Sequence, residues 1–230
     1  MTIFFDIDDT LLDSESAHRA ALRIFCEEIP IFRGETPDSL LPEWFAINDK
    51  YLTLYFEHKI SLEQQRISRI RSLWGNRGMS VTDDLAHKIF SRYYQCFLHS
   101  CSAFPDTVPC LQKLKGYRLG IISNGITDDQ IFKLKNNHLF HFFSTVIISD
   151  MMGVVKPEKA IFQQAALISG AEVSDCIFIG NSYETDYLGS LQAGMKAIWL
   201  DRKNSNEHPG SEKIVAFDEL TNHPFLRGKS

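Results

Sequence analysis

The feature that most constrains this chain is a short apolar run that ends in acid. Ile3, Phe4 and Phe5 are too few for a helix and rich in β-forming side chains, so they read as a buried parallel strand. The run stops in Asp6, Asp8 and Asp9, followed by Thr10. Strand periodicity would put Asp6 and Asp8 on one face. Carboxylates at the end of a buried strand are costly unless a cation or a metal compensates them. The carboxyl ends of strands are also where open α/β sheets hold their ligands. Taken alone, the cluster reads equally as a solvated Asx turn, and the rest of the chain decides between the two.

Beyond Pro105 similar runs alternate with helical patterns. Strands are expected at Leu119–Ile122, Val146–Ile148, Ile177–Ile179 and Ala197–Leu200, with helices near 106–116, 127–136, 158–169 and 185–193. Such alternation specifies an α/β architecture, a parallel sheet covered on both faces. Residues 14–102 interrupt it. Ser14 is a candidate N-cap ahead of the stripe Ala17, Ala21, Leu22 and Phe25, and Ser61 with Gln64 has the form of a capping box. Leu40, Trp44, Ile47 and Tyr51 recur at helical steps, as do Leu85, Ile89, Phe90, Tyr93 and Phe97. Residues 1–13 and 103–230 are therefore expected to form an α/β core domain, and residues 14–102 an inserted all-helical cap domain. Hinges are expected near Asp13 and Phe104, an arrangement that closes sites against water.

Every chemically able group falls at, or just past, the carboxyl end of an expected strand. Asp6 and Asp8 follow the first, Ser123 and Asn124 the second, Lys156 the third, and Asn181 with Asp186 the fourth. Each has an ordinary explanation when taken singly: Ser-Asn-Gly is a turn, Lys-Pro a loop, an aspartate on a helix face a solvated charge. The ordered set is far more specific than any member.

In that order, Asp6-x-Asp8-x-Thr10, Ser123, Lys156 and Gly180-Asn181…Asp186 resemble the four motifs of the haloacid dehalogenase-like (HAD) hydrolase superfamily. The likeness covers essentially the whole chain. The helical insertion resembles that superfamily's all-helical cap, and the chain is most similar to the branch holding nucleotidases and small-phosphate phosphatases. The resemblance implies a Rossmann-like core with strand order 5-4-1-2-3. It implies a magnesium-dependent phosphomonoester hydrolase acting on a small phosphorylated metabolite, with a nucleoside monophosphate as the class it suggests.

Residue by residue, the resemblance makes Asp6 the nucleophile that becomes an aspartyl-phosphate. Asp8 is then the acid and base, and its backbone carbonyl also binds the metal. Ser123 and the Asn124 N–H hold phosphoryl oxygens, Lys156 supplies charge to phosphate and to Asp6, and Thr10 steadies this substrate-binding loop. The Mg2+ set is Asp6, Asp8, Asn181 and Asp186. Asn181 departs from the aspartate usual among such relatives: an amide offers an oxygen but no charge, so weaker magnesium binding is expected. Asp9 reads as a local turn acceptor.

Rival readings share these residues. A 2-haloacid dehalogenase uses the same nucleophile, but members of that branch lack a carboxylate at the position of Asp8. A phosphomutase would use the same set. A phosphate-ligand-binding protein with weakened catalysis is favoured by Asn181 alone. Composition narrows the field further. A net charge of -5 argues against a nucleic-acid polymer as partner. Five cysteines (Cys26, Cys96, Cys101, Cys110, Cys176), none in a Cys-x-x-Cys pair, read as reduced thiols of a cytoplasmic protein. No apolar stretch approaches the roughly 18 residues of a membrane span, and no leader pattern is visible. The aromatic residues Trp44, Phe45, Tyr51, Tyr55, Phe56, Tyr93 and Tyr94 read as bundle core, and His18 and His58 as exposed helix positions.

Overall fold

The computed structural model describes residues 1–205 and 207–226. The chain divides into two compact units, one made of Met1–Asp13 with the residues from Ser102 onward, the other of Ser14–Cys101.

In the first unit β1 (Thr2–Phe5) is buried along its whole length, which places it in the middle of a sheet. After it come α5 (Thr107–Lys113), β2 (Arg118–Ser123), α6 (Thr127–Asn136), β3 (Thr145–Ile148), α7 (Ser149–Met152) and α8 (Lys159–Ile168). β4 (Cys176–Gly180), a π-helical turn over Tyr183–Leu188, α9 (Gly189–Ala193), β5 (Lys196–Leu200), β6 (Lys213–Ile214) and α10 (Phe217–Leu220) complete it. The sheet order is β3-β2-β1-β4-β5-β6, all parallel. This is the expected 5-4-1-2-3 arrangement with one strand added beyond β5. β1 sits between β2, where Phe4 pairs with Gly120, and β4, where it pairs with Phe178. A Cβ on Gly120 would lie 2.5 Å from the Phe4 ring, so glycine is what lets Phe4 lie flat across β2. Phe4, Ile122, Phe162 and Phe178 then form the core beneath α8. No sequence pattern announces β6 and α10, because two and four residues are too few to show a period.

The second unit contains α1 (Ser14–Glu28), α2 (Pro37–Phe56), α3 (Leu62–Gly75) and α4 (Asp83–Ser100). Thr36 and Ser61 each close a capping box, with Ser39 and Gln64 respectively, and Thr82 caps α4. Its core is aromatic: Phe25 stacks on Tyr93 at 5.6 Å and Phe32 meets Trp74 edge-on at 5.0 Å. The Trp44 indole N–H donates to the Tyr93 hydroxyl. His18, expected to be exposed, is half-buried instead. It stacks on Phe97 at 4.2 Å and shares a hydrogen bond with Tyr93, because its position on α1 faces α4. His58 is exposed.

The two segments through which the chain leaves and re-enters the first unit pair as a short antiparallel ribbon. Leu12 bridges Ala103, Asp13 N–H donates to Ser102 O at 2.9 Å, and Phe104 N–H donates to Leu11 O at 3.0 Å. Among the described residues no helix is long and apolar enough to cross a membrane. All five cysteines are free thiols.

Candidate active site

Where β1 stops, the backbone stays tethered and then turns. The Asp6 N–H still donates to Ile179 O of β4 at 3.0 Å. The Ile7 carbonyl then accepts from Leu11 at 2.9 Å and Leu12 at 3.0 Å. Asp9 takes a left-handed φ of 56° and donates its N–H to Leu12 O at 2.7 Å, so it sits at the tightest point of the turn. This loop places Asp6, Asp8 and Thr10 against three different neighbours.

Asp6 meets Lys156. The lysine ammonium lies 2.6 Å from Asp6 Oδ1 and 2.7 Å from Asp186 Oδ1, and all three side chains are buried. Asn124 fixes the lysine's backbone: its Oδ1 accepts from Lys156 N at 2.8 Å and its Nδ2 donates to Lys156 O at 3.0 Å. The turn after β2 is thereby tied to the Lys156-Pro157 loop. Asp186 stands on the π-helical turn, where its second oxygen accepts the Ser182 N–H at 3.0 Å. π-turns of this kind recur at functional sites. A Cβ on Gly180 would come within 2.3 Å of Asp186 Oδ2, so no side chain fits at the end of β4 while Asp186 holds this place.

One ammonium serves two carboxylates, and the electrostatics follow from that ratio. Burial pushes the Asp6 carboxyl up from 3.8 to about 6; Lys156 opposes the rise, while Asp186 and Asp8 add to it. Burial alone would lower the Lys156 ammonium, but the Asp186 and Asp6 carboxylates outweigh it and hold it above its ordinary value. The lysine is firmly charged and Asp6 is under-compensated.

Thr10 is fully buried and meets Asn181. Its hydroxyl donates to Asn181 Oδ1 at 3.2 Å and accepts the Asn181 N–H at 3.0 Å, the geometry of a loop tie. The Asn181 carbonyl accepts from the Trp199 indole at 2.8 Å.

Asp8 meets two residues of α6 that belong to none of the strand-end clusters. Lys133 Nζ lies 2.6 and 2.8 Å from the two Asp8 oxygens, and Gln130 Nε2 donates to Asp8 Oδ2 at 2.8 Å. The same amide reaches Ser123 Oγ at 3.2 Å and Asn124 O at 3.0 Å. The structure therefore gathers the eight residues singled out in the sequence into three linked groups: Asp6–Lys156–Asp186 with Asn124, Thr10–Asn181, and Asp8–Ser123 through Gln130. A signal for the α6 residues does exist. Gln130, Lys133 and Leu134 have the spacing of one helix face, and two polar residues among three inward positions are unusual.

Comparison with known proteins places the chain in a family. The family model described as haloacid dehalogenase-like hydrolase matches residues 1–194. A glyceraldehyde 3-phosphate phosphatase of Methanothermobacter thermautotrophicus is 34% identical over 205 residues, covering 86% of this chain and 84% of that protein. The pyrimidine 5'-nucleotidase YjjG of Escherichia coli is 28% identical, covering 90% and 89%. Among solved structures, the HAD-hydrolase YfnB of Bacillus subtilis, described as bound to magnesium and showing interdomain movement, superposes with a TM-score of 0.78. That match covers 98% of each chain at 23% identity, a likeness of fold. With a family model spanning most of its length and a relative above 30% identity, the chain belongs to the haloacid dehalogenase-like hydrolases and is a hydrolase.

Proposed function

We propose that this hydrolase is a magnesium-dependent phosphatase that removes phosphate from a small phosphorylated metabolite, with Asp6 as nucleophile. The observation that carries the reading is the buried ammonium of Lys156 held between Asp6 and Asp186, with a second loop carboxylate, Asp8, two residues from the first. The names of the phosphatase and nucleotidase relatives support phosphate monoesters as the substrate class.

An Asp6 oxygen attacks phosphorus as the bond to the leaving oxygen breaks, giving an aspartyl-phosphate. Asp8 gives its proton to the leaving oxygen, then takes one from the water that cleaves the acyl phosphate, and Asp6 is restored. Lys156, the Ser123 hydroxyl and the Asn124 N–H hold the phosphoryl oxygens. Thr10 keeps the loop in place through Asn181.

The donor set fits a hard dication. It consists of oxygens: the carboxylates of Asp6 and Asp186, the Asp8 carbonyl and the Asn181 amide. Among the described residues no three His, Cys, Asp or Glu side chains converge as a cage. Two carboxylates with neutral oxygens and water are what Mg2+ accepts, and the under-compensated Asp6 is where added positive charge is due. When bound, the ion offsets the repulsion between the carboxylate nucleophile and a dianionic phosphate.

On this reading Ser14–Cys101 is the helical cap, joined to the first unit through the Leu12–Ala103 ribbon, and the interdomain movement described for YfnB supports a hinge there. The free thiols support a cytoplasmic setting. The nucleotidase relative supports a nucleoside monophosphate as substrate, and the phosphatase relatives a triose phosphate.

The test is hydrolysis of p-nitrophenyl phosphate with magnesium and with a chelator, beside chloride release from 2-chloropropionate. Magnesium-dependent phosphate release without chloride release is expected, after which a panel of phosphorylated metabolites identifies the substrate. Chloride release would establish the dehalogenase instead. Phosphate binding without turnover would establish the weakened binder that Asn181 favours.

A further inference from the structure

The inner face of α6 is polar where a helix packed on a sheet should be apolar. Gln130 and Lys133 are each only 3% exposed, beside Leu134. Burying an ammonium and an amide costs several kcal/mol unless each is compensated. The donor groups of both reach one side chain. Lys133 spans both oxygens of Asp8 at 2.6 and 2.8 Å, and Gln130 donates to one of them at 2.8 Å. The remaining reach of Gln130, to Ser123 Oγ and Asn124 O, joins Asp8 to the turn after β2. That turn is shaped to admit it: a Cβ on Gly125 would lie 2.7 Å from Gln130 Nε2. Lys133 is anchored from behind by Asn137, whose Nδ2 donates to Lys133 O at 2.9 Å and whose Oδ1 accepts from Ala103 N at 2.9 Å.

We infer that Lys133 and Gln130 are positioning residues that hold the Asp8 carboxyl group at the place where it meets the leaving oxygen. The inference rests on the reading of Asp8 as acid and base given above and adds to it the two groups that fix its orientation. A carboxylate at the end of a loop has two free side-chain torsions. A two-oxygen contact to a buried ammonium, with an amide on one oxygen, leaves a single orientation. Proton transfer requires hydrogen-bond reach to the leaving oxygen, and a displacement of about 1 Å costs on the order of 10²-fold in rate. Lys133 transfers no proton in this scheme; it stays an ammonium and fixes a neighbour.

The leaving group separates positioning from a general structural role. p-Nitrophenolate departs without a proton, whereas the alkoxide of glycerol 2-phosphate needs one. For Lys133→Met we expect kcat/KM on glycerol 2-phosphate, which reports the step that expels the leaving group, to fall about 10²-fold, and kcat/KM on p-nitrophenyl phosphate to fall much less; kcat can fall on both, because the water step that Asp8 serves as base is common to them. Combined with Asp8→Asn, Lys133→Met should add little further loss, since both remove the same step. Gln130→Met should show the same leaving-group pattern with a smaller loss, and it decides the matter if Lys133→Met does not fold. Equal losses of kcat/KM on the two substrates, or losses additive with Asp8→Asn, would overturn the inference while leaving the phosphatase reading intact. A wild type without phosphatase turnover, or an Asp8→Asn enzyme as active as wild type on glycerol 2-phosphate, would overturn both.

Discussion

At the end of β1 the Asp6 carboxylate shares one ammonium with Asp186, and burial lifts it to about 6. A carboxyl raised above its unfolded value binds its proton more tightly in the folded state. That contribution to stability is complete at low pH and is lost as pH rises from about 4 through about 6. Above that window an ionised Asp6 is a liability in the metal-free fold. Asp6→Asn should therefore abolish turnover and also raise the melting temperature at pH 7.5 in chelator by a few degrees. The gain corresponds to about 1–3 kcal/mol, because each tenfold difference in proton affinity between the folded and unfolded chain is worth about 1.4 kcal/mol. It should shrink by pH 5 and vanish near pH 4. A variant no more stable than wild type at pH 7.5 would mean that Asp6 is adequately compensated by Lys156. Asn181 poses the complementary question, since its amide oxygen accepts from Thr10 and carries no charge. Asn181→Asp keeps an acceptor for Thr10 and adds that charge, so the magnesium concentration for half-maximal activity should fall about 10–100-fold. An unchanged requirement would remove residue 181 from the metal set.

The elements most legible in the sequence are those with a repeated period or a local cap. The capping box at Ser61 and Gln64 depends on residues three apart, and the buried strands are contiguous runs, so both can be read from neighbours alone. The four strand-end clusters are legible for the same reason. What cannot be read depends on partners distant along the chain. Lys133 shares a polar helix face with Gln130, but what that face meets cannot be read, because its partner, Asp8, lies 125 positions away. The helix expected over 185–193 opens instead with the π-helical turn at Tyr183–Leu188, where Asp186 and Tyr187 N–H groups both reach Ser182 O. Arg202 gives no signal at all, yet it clamps the flank of the ribbon that joins the two units. It binds both Asp106 oxygens at 3.0 and 3.1 Å and Thr10 O at 2.9 Å, and lies 3.8 Å over the Phe104 ring. Asp106 Oδ2 also accepts from Phe217 N at 2.9 Å. Arg202→Met should cost about 1–3 kcal/mol in urea unfolding, below the roughly 3–5 of a fully buried pair because both partners keep some solvent. Arg202→Lys should recover little, since an ammonium does not reproduce the forked contact. Full recovery by lysine would show that charge alone holds the clamp.

On the scale of the molecule, two separate cores explain how an insertion of this length is tolerated inside an α/β unit. One core runs through Phe4, Phe162 and Phe178 on the parallel sheet, the other through Phe25, Trp44 and Tyr93 among the four long helices. Only two strands of chain connect them, and those strands are already hydrogen-bonded to each other: Asp13 N–H donates to Ser102 O at 2.9 Å. The ends left by removing Ser14–Cys101 are therefore adjacent within the first unit, and a short glycine linker closes them at little entropic cost. We expect the excised chain, Asp13 joined to Ser102 through two or three glycines, to fold with native sheet signals and a cooperative thermal transition. It should also keep slow magnesium-dependent hydrolysis of p-nitrophenyl phosphate, because Asp6, Asp8, Ser123, Lys156 and Asp186 all belong to the unit that remains. Discrimination among natural phosphate esters should weaken if the helical unit shapes the leaving-group pocket. Circular dichroism, calorimetry and a comparison of kcat/KM across the metabolite panel read these outcomes. An excised chain that binds hydrophobic dye and melts without a transition would show that the sheet unit depends on the helices for its stability. A folded one with unchanged selectivity would take the helical unit out of substrate choice.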